Sequence, residues 1–215
     1  MSEPANVVDP KELAREREIR TMCERGDDHG ATTLALRLYG REILQFLVHT
    51  HRDEQAASEV FSLISEDVWR GLATFRWQST LRGWLYAVAR NASHEFRRSQ
   101  RRHCRSVPMS HDERVFLDVA AQIRTETLTF LRTESRSALD RLRDELTVDE
   151  RMLLSLRLDR GLSWPEIAEI YATESEALGN PSKDAARLRK RFQLLKDRLR
   201  KRGRELGIIP SRDDV

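Results

Sequence analysis

The chain holds only two cysteines in 215 residues. Cys23 and Cys104 stand far apart and neither has a CxxC partner, which excludes a disulfide framework and argues against a structural zinc site. His103, Cys104 and His111 offer three ligands in one stretch, but a closed zinc site needs a fourth. Long apolar runs are absent too. Nothing approaches the roughly 20 residues of a membrane span, and the opening "MSEPANVVDPKELARERE" contains no hydrophobic signal segment. A cytoplasmic protein without membrane insertion is expected. Strand-like runs are missing, so the chain reads as all-α. Clustered acids are missing as well: Asp27-Asp28 and Asp213-Asp214 are isolated pairs that read as capping and solvation, and no nucleophile stands beside a base. Nothing points to an enzyme, a metal or another cofactor.

Charge, by contrast, is plentiful. Charged residues make up 34% of the chain and hydrophobic ones 39%, a balance that fits two small helical domains with modest cores. The formal net charge of +3 hides an uneven distribution. From Lys183 to Arg204, eleven basic residues meet only two acids, Asp184 and Asp197. A second basic concentration lies in "STLRGWLYAVARNASHEFRRSQRR", residues 79–102. Wound as a helix, that stretch sorts into two arcs. Leu81, Trp84, Leu85, Val88, Ala89, Ala92 and Phe96 form an apolar arc, each large side chain contributing about 1.5–3 kcal/mol on burial. Arg82, Tyr86, Arg90, His94, Arg97, Arg98 and Arg101 form the other. Like charges such as Arg97 and Arg101 cost roughly 0.2–0.5 kcal/mol per pair. The single acid in the segment, Glu95, lies on the apolar side. A solvated charged face is the plain alternative, but an unbalanced cationic stripe suits an extended anion, and a phosphate backbone is the common one.

Helical spacing recurs along the chain. Residues 1–20 are charged, with a short helix expected from Pro10. Gly26-Asp27-Asp28 marks a start, after which Leu34, Leu38, Ile43, Phe46 and Leu47 are spaced for one face. A further helix is expected over residues 53–73 with Ala56, Val60, Leu63, Ile64, Val68 and Leu72 inward, and Ser79 or Thr80 caps the two-faced helix. Pro108 and the polar residues around it break the pattern and read as a linker, although residues 115–133 regain helical spacing. A second unit begins near Ser137 with Leu139, Leu142 and Leu146. Capping boxes follow at Thr147 to Glu150 and Ser163 to Glu166, Pro165 sits in a first turn, and a long basic helix starts after Asn180. Three helices, a turn and a basic final helix are the order of a helix-turn-helix DNA reader. On the last helix Ala185, Leu188, Phe192, Leu195 and Leu199 line one side. Lys183, Arg187, Lys190 and Gln193 point away, flanked by Arg189 and Arg191.

The stretches "ALRLYGREILQFL", "VWRGLATFRWQSTLRGWLYAVARNASHEFRRSQRR" and "ALDRLRDELTVDERMLLSLRLDRGLSWPEIAEI" resemble the extracytoplasmic-function group of bacterial RNA polymerase sigma factors, in the sigma-70 family. Trp84-Leu85, Ala89-Arg90-Asn91 and the arginine run carry the likeness in the first half; Gly161-Leu162-Ser163 and Glu166-Ile167-Ala168 carry it in the second. The resemblance implies an N-terminal extension (1–24), sigma region 2 (25–102), a linker (103–136), a region 4 helix-turn-helix (137–207) and a tail (208–215). It implies a flipped-base pocket for the melted −10 non-template strand at Trp77, Gln78, Ser79 and Thr80. Arg82, Arg90, Asn91, His94, Arg97 and Arg98 would steer phosphates and bases there, and Lys183, Arg187, Arg189, Lys190 and Gln193 would read the −35 duplex. Core RNA polymerase and promoter DNA are the implied partners, with an anti-sigma protein as a further partner class.

Two departures stand out. Relatives carry Asp-Leu-Val-Gln-Glu where this chain has Glu59-Val60-Phe61-Ser62-Leu63, which leaves Glu59, Ser62, Glu66 and Asp67 as polar candidates for polymerase docking. About ten extra residues, "TESEALGNPS", precede the basic helix. The alternative function is a polymerase-independent helix-turn-helix regulator, for which residues 115–133 are the only stretch available as a dimerisation helix.

Overall fold

Helices start in this chain where a short side chain can take up backbone N–H groups. Asp27 accepts from the Gly30 N–H at 2.9 Å, and Asp53 accepts from Gln55 and Ala56 at 2.8 and 3.0 Å. The Thr80 hydroxyl accepts from Gly83 at 3.0 Å. Each satisfies donors that a helix N-terminus otherwise leaves open. The computed structural model describes residues 10–99, 111–133, 142–172 and 181–208. Among these residues there are helices and turns but no strand, and the chain divides into two units, residues 1–133 and 134–215.

The first unit contains α1 (Pro10–Glu24), α2 (Asp28–His51), α3 (Glu54–Gly71), a 3-10 turn (Leu72–Thr74), α4 (Leu81–Ser99) and α5 (His111–Thr133). Helix α2 is central and touches the other four. Its Ala35, Tyr39, Ile43, Leu44, Phe46 and Leu47 are buried, and α3 contributes Val60, Phe61, Ile64 and Val68. Leu63, expected inside, is 38% exposed. Ala57, Phe61 and Ser65 take the inward positions beside Val60 and Ile64.

Two segments outside the expected region 2 boundaries also pack in this unit. Helix α1 is part of this unit: it packs on α2, and Ile19 is fully buried. The segment read as a linker, residues 103–136, contains α5, which packs on α2 and α3 with Ala120 and Thr127 buried. Gly40 allows this approach. A Cβ there would stand 3.2 Å from the Ile123 Cδ1, so the isoleucine would have to give by a few tenths of an ångström, and it would be in ordinary contact with the Phe61 ring at 3.5 Å. His103, Cys104, Arg101 and Arg102 lie outside the described residues.

The second unit contains α6 (Val148–Leu154), continued by a π turn (Ser155–Asp159), then α7 (Trp164–Ala172) and α8 (Pro181–Glu205). Both expected capping boxes form. Thr147 N–H donates to Glu150 at 2.9 Å and Glu150 N–H returns to the Thr147 hydroxyl at 3.3 Å; Ser163 and Glu166 repeat the exchange at 2.7 and 3.4 Å. Gly161, at φ +66, turns the chain between them. The core joins Leu142, Leu146, Met152, Leu153, Leu156, Ile167 and Ile170 to Leu188, Phe192 and Leu195 of α8. Leu139, the insertion "TESEALGNPS" up to Asn180, and the tail beyond Ile208 lie outside the described residues.

Candidate nucleic-acid interface

Helix α4 is enclosed on more than its apolar arc. Leu81, Leu85, Ala89, Ala92 and Phe96 are buried as expected, but so is Tyr86, and Arg90 is only 7% exposed. For Arg82 and Tyr86 the reason is an acid some forty residues away. Glu42 of α2 accepts from Arg82 Nε at 3.0 Å and from the Tyr86 hydroxyl at 2.7 Å, and also pairs with Arg82 Nη2. Burial alone would lower the Arg82 guanidinium's pKa, but the hydrogen bonds and charge of Glu42 outweigh it, and the net shift is upward. The first half of the basic arc is therefore not an open stripe. Arg97 and Arg98 in the last turn are exposed, with Asn91 and His94 half-buried before them.

The loop ahead of α4 is unusual. Trp77 adopts φ +55, a left-handed conformation that costs a bulky residue about 1–3 kcal/mol and persists only where its surroundings hold it. The holding contacts are aromatic. The Trp77 and Phe75 ring centroids are 5.0 Å apart, and Phe75 stacks on Trp84 at 5.1 Å and 29°, contacts worth about 0.5–1.5 kcal/mol each. Arg20 of α1 lies over the Trp77 ring at 5.8 Å, adding roughly 0.5–1 kcal/mol. Trp77 and Ser79 are half-buried, while Gln78 and Thr80 are exposed. Thr80 uses an acceptor lone pair on α4, and its hydroxyl proton is still available to a ligand. The loop thus presents a braced aromatic surface beside several polar groups.

On α8 the expected outward set is exposed: Lys183, Arg187, Arg189, Lys190 and Gln193. Arg187 keeps a long contact to Asp184 at 3.7 Å with its own side chain 80% exposed, an arrangement worth little to stability. Gln193 donates to Asp197 at 3.3 Å. Arg189 sits over the Trp164 ring at 5.8 Å, and Trp164 packs against Phe192 at 5.3 Å, so this arginine also joins α8 to the start of α7. The α8 set is brought together on one face of one helix.

The four polymerase-docking candidates share α3 but not one environment. Glu59 and Asp67 are exposed, and Glu66 is half-buried and pairs with Arg70 at 3.6 Å. Ser62 accepts from Arg124 of α5 at 3.3 Å, so α5 reaches the edge of this face. Exposed Leu63 lies among the acids, an apolar feature of the same surface that its expected inward placement concealed.

Comparison with known proteins agrees with the geometry. Residues 35–103 match the sigma-70 region 2 family, a span holding most of α2, all of α3, the braced loop and α4. The RNA polymerase sigma-H factor of Pseudomonas aeruginosa is 25% identical over 159 residues, covering 73% of this chain and 82% of that protein. No solved structure matches the chain. Over residues 35–103 the chain is thus similar to sigma-70 region 2, and over most of its length to a sigma factor.

Proposed function

We propose that the chain is a sigma factor of the extracytoplasmic-function group, which binds core RNA polymerase, directs it to promoters through −35 and −10 elements, and helps melt the −10 region. The observation that carries the reading is the braced loop at residues 75–80, within the region 2 match and directly ahead of α4. Capturing an extruded base costs a few kcal/mol of unstacking, which contacts to its face and its Watson–Crick edge must recover. Trp77 offers the face, and Gln78, Ser79 and Thr80 offer edge donors and acceptors. Asn91, His94, Arg97 and Arg98 continue toward the backbone of the same strand. Arg82 and Arg90 act as supports that hold α4 against its neighbours, so their effect on DNA is indirect.

For the −35 element, Lys183, Arg187, Lys190 and Gln193 enter the major groove with α8, and Arg189 fixes the helix against Trp164. Polymerase docks on the exposed side of α3 around Glu59, Leu63, Glu66 and Asp67. The reaction chemistry belongs to the polymerase, and the chain's part is binding and strand separation. The competing regulator needs a dimerisation helix, and α5 packs instead on α2 and α3 of its own unit.

The test is in-vitro transcription with core polymerase from the source organism on a genomic promoter pool, with and without the chain. New start sites sharing −35 and −10 elements are expected. Silence combined with core-independent binding to duplex DNA would transfer the chain to the regulator class.

A further inference from the structure

The region 2 match begins at residue 35, so α1 lies outside it, yet α1 reaches the loop on which the proposed function depends. The Arg20 guanidinium stands 5.8 Å from the Trp77 ring centroid, and its Nε donates to Glu24 at 2.9 Å, one turn further along α1. Near the opposite end of the loop, Glu16 accepts from the Tyr39 hydroxyl at 2.7 Å and from the Arg82 N–H at 3.4 Å. Helix α1 is therefore fastened to α2, to the first turn of α4 and to the ring between them. The contacts form a continuous run: Arg20 over Trp77, Trp77 against Phe75, Phe75 stacked on Trp84.

We propose that α1 completes the single-strand-capturing loop, with Arg20 as a positioning residue that fixes the Trp77 ring as a platform for an unstacked promoter base. The proposal rests on the sigma-factor reading. Every base has a π face, so an aromatic platform captures any of them, and the polar groups beside it supply the selection. A platform ring works only while it is held. Trp77 carries the left-handed backbone of the loop, and a cation on its face restrains the ring without occupying the Watson–Crick edge donors at Gln78 and Ser79.

The test uses the full-length chain with core polymerase and two forms of one promoter, fully duplex or forked with a single-stranded −10 non-template strand. Arg20→Met is expected to weaken binding to the forked form about two- to fivefold, the size a surface cation–π contact supports. Binding to core polymerase and to the duplex −35 element should be unchanged, and Arg20→Lys should recover most of the loss. In a Trp77→Leu background Arg20→Met should add nothing; Trp77→Phe, which keeps a ring, should stay sensitive to it and covers a loss of fold in Trp77→Leu. An Arg20→Met chain that matches wild type on forked DNA would overturn the proposal. So would an effect that persists without the Trp77 ring and lowers the salt slope by about one, since Arg20 would then bind phosphate. A wild-type holoenzyme with no preference for forked over duplex DNA would instead sink the sigma-factor reading itself.

Discussion

At the scale of single residues, arginines that look equivalent in the sequence do different work. Arg82 is committed to Glu42, with 20% of its side chain exposed, whereas Arg97 and Arg98 face solvent. Neutralising Arg97 and Arg98 should flatten the salt dependence of promoter binding, by about 0.7–0.9 in log–log slope for each phosphate left without its cation. Thermal unfolding should barely move. Glu42→Gln should do the reverse, costing the first unit about 2 kcal/mol because a partly buried guanidinium and the Tyr86 hydroxyl are deprived of a charged acceptor, with little change in slope. Thermal melts and salt titrations on the two variants separate these outcomes; a slope change in Glu42→Gln would return Arg82 to the DNA surface. Cys23 supplies a further residue-scale expectation. Burial, followed by the charge of Asp28, raises its thiol pKa, so alkylation at neutral pH should be slower than for an unstructured cysteine.

Individual elements show which sequence signals suffice. The starts of α2, α3, α4, α6 and α7 were legible because a cap acts within three residues: Asp27, Asp53, Thr80, Thr147 and Ser163 each sit next to the helix they begin. The apolar arc of α4 was legible for the same reason, as a periodicity within one segment. The partners of α4 and α5 were not. Glu42 and Arg82 are forty residues apart, and nothing near Arg82 announces an acid on α2. Gly40 takes on a role only where α5 lies against it, and Leu63 fits an inward period that Phe61 and Ser65 occupy instead. The −10 candidates at residues 77–80 share one loop, but the brace from Arg20 was missed because α1 read as a charged extension. The cap of α6 yields a pH test. Burial alone would raise the Glu150 carboxyl, but hydrogen bonds from Arg198 and Thr147 outweigh it and hold its pKa below the ordinary value of 4.5. Its stabilising contribution is complete above that value and is lost as the pH falls through the lowered folded one. Glu150→Gln should therefore cost the second unit about 1 kcal/mol at neutral pH, and the deficit relative to wild type should vanish in acid melts.

For the molecule as a whole, the two units divide the cationic surface between them. A net charge of +3 gives little attraction to DNA by itself, so the proposed promoter binding rests on local patches; among the described residues, the end of α4 with the loop before it and the outer face of α8 each present one. If both meet one promoter, their counterion release adds, because phosphates neutralised at separate places contribute independently to the salt slope. Lys183→Ala with Lys190→Ala should lower the slope by up to about 1.8, two phosphates at roughly 0.9 each, on duplex and forked templates alike. Arg97→Ala with Arg98→Ala should act mainly on templates in which the −10 strand is present. The four substitutions together should reduce the slope by the sum, measured as holoenzyme affinity across a salt series on one full promoter. A combined reduction no larger than that of the α8 pair alone would mean that the two patches never hold the same DNA at once, and α4 would then serve a partner other than the promoter.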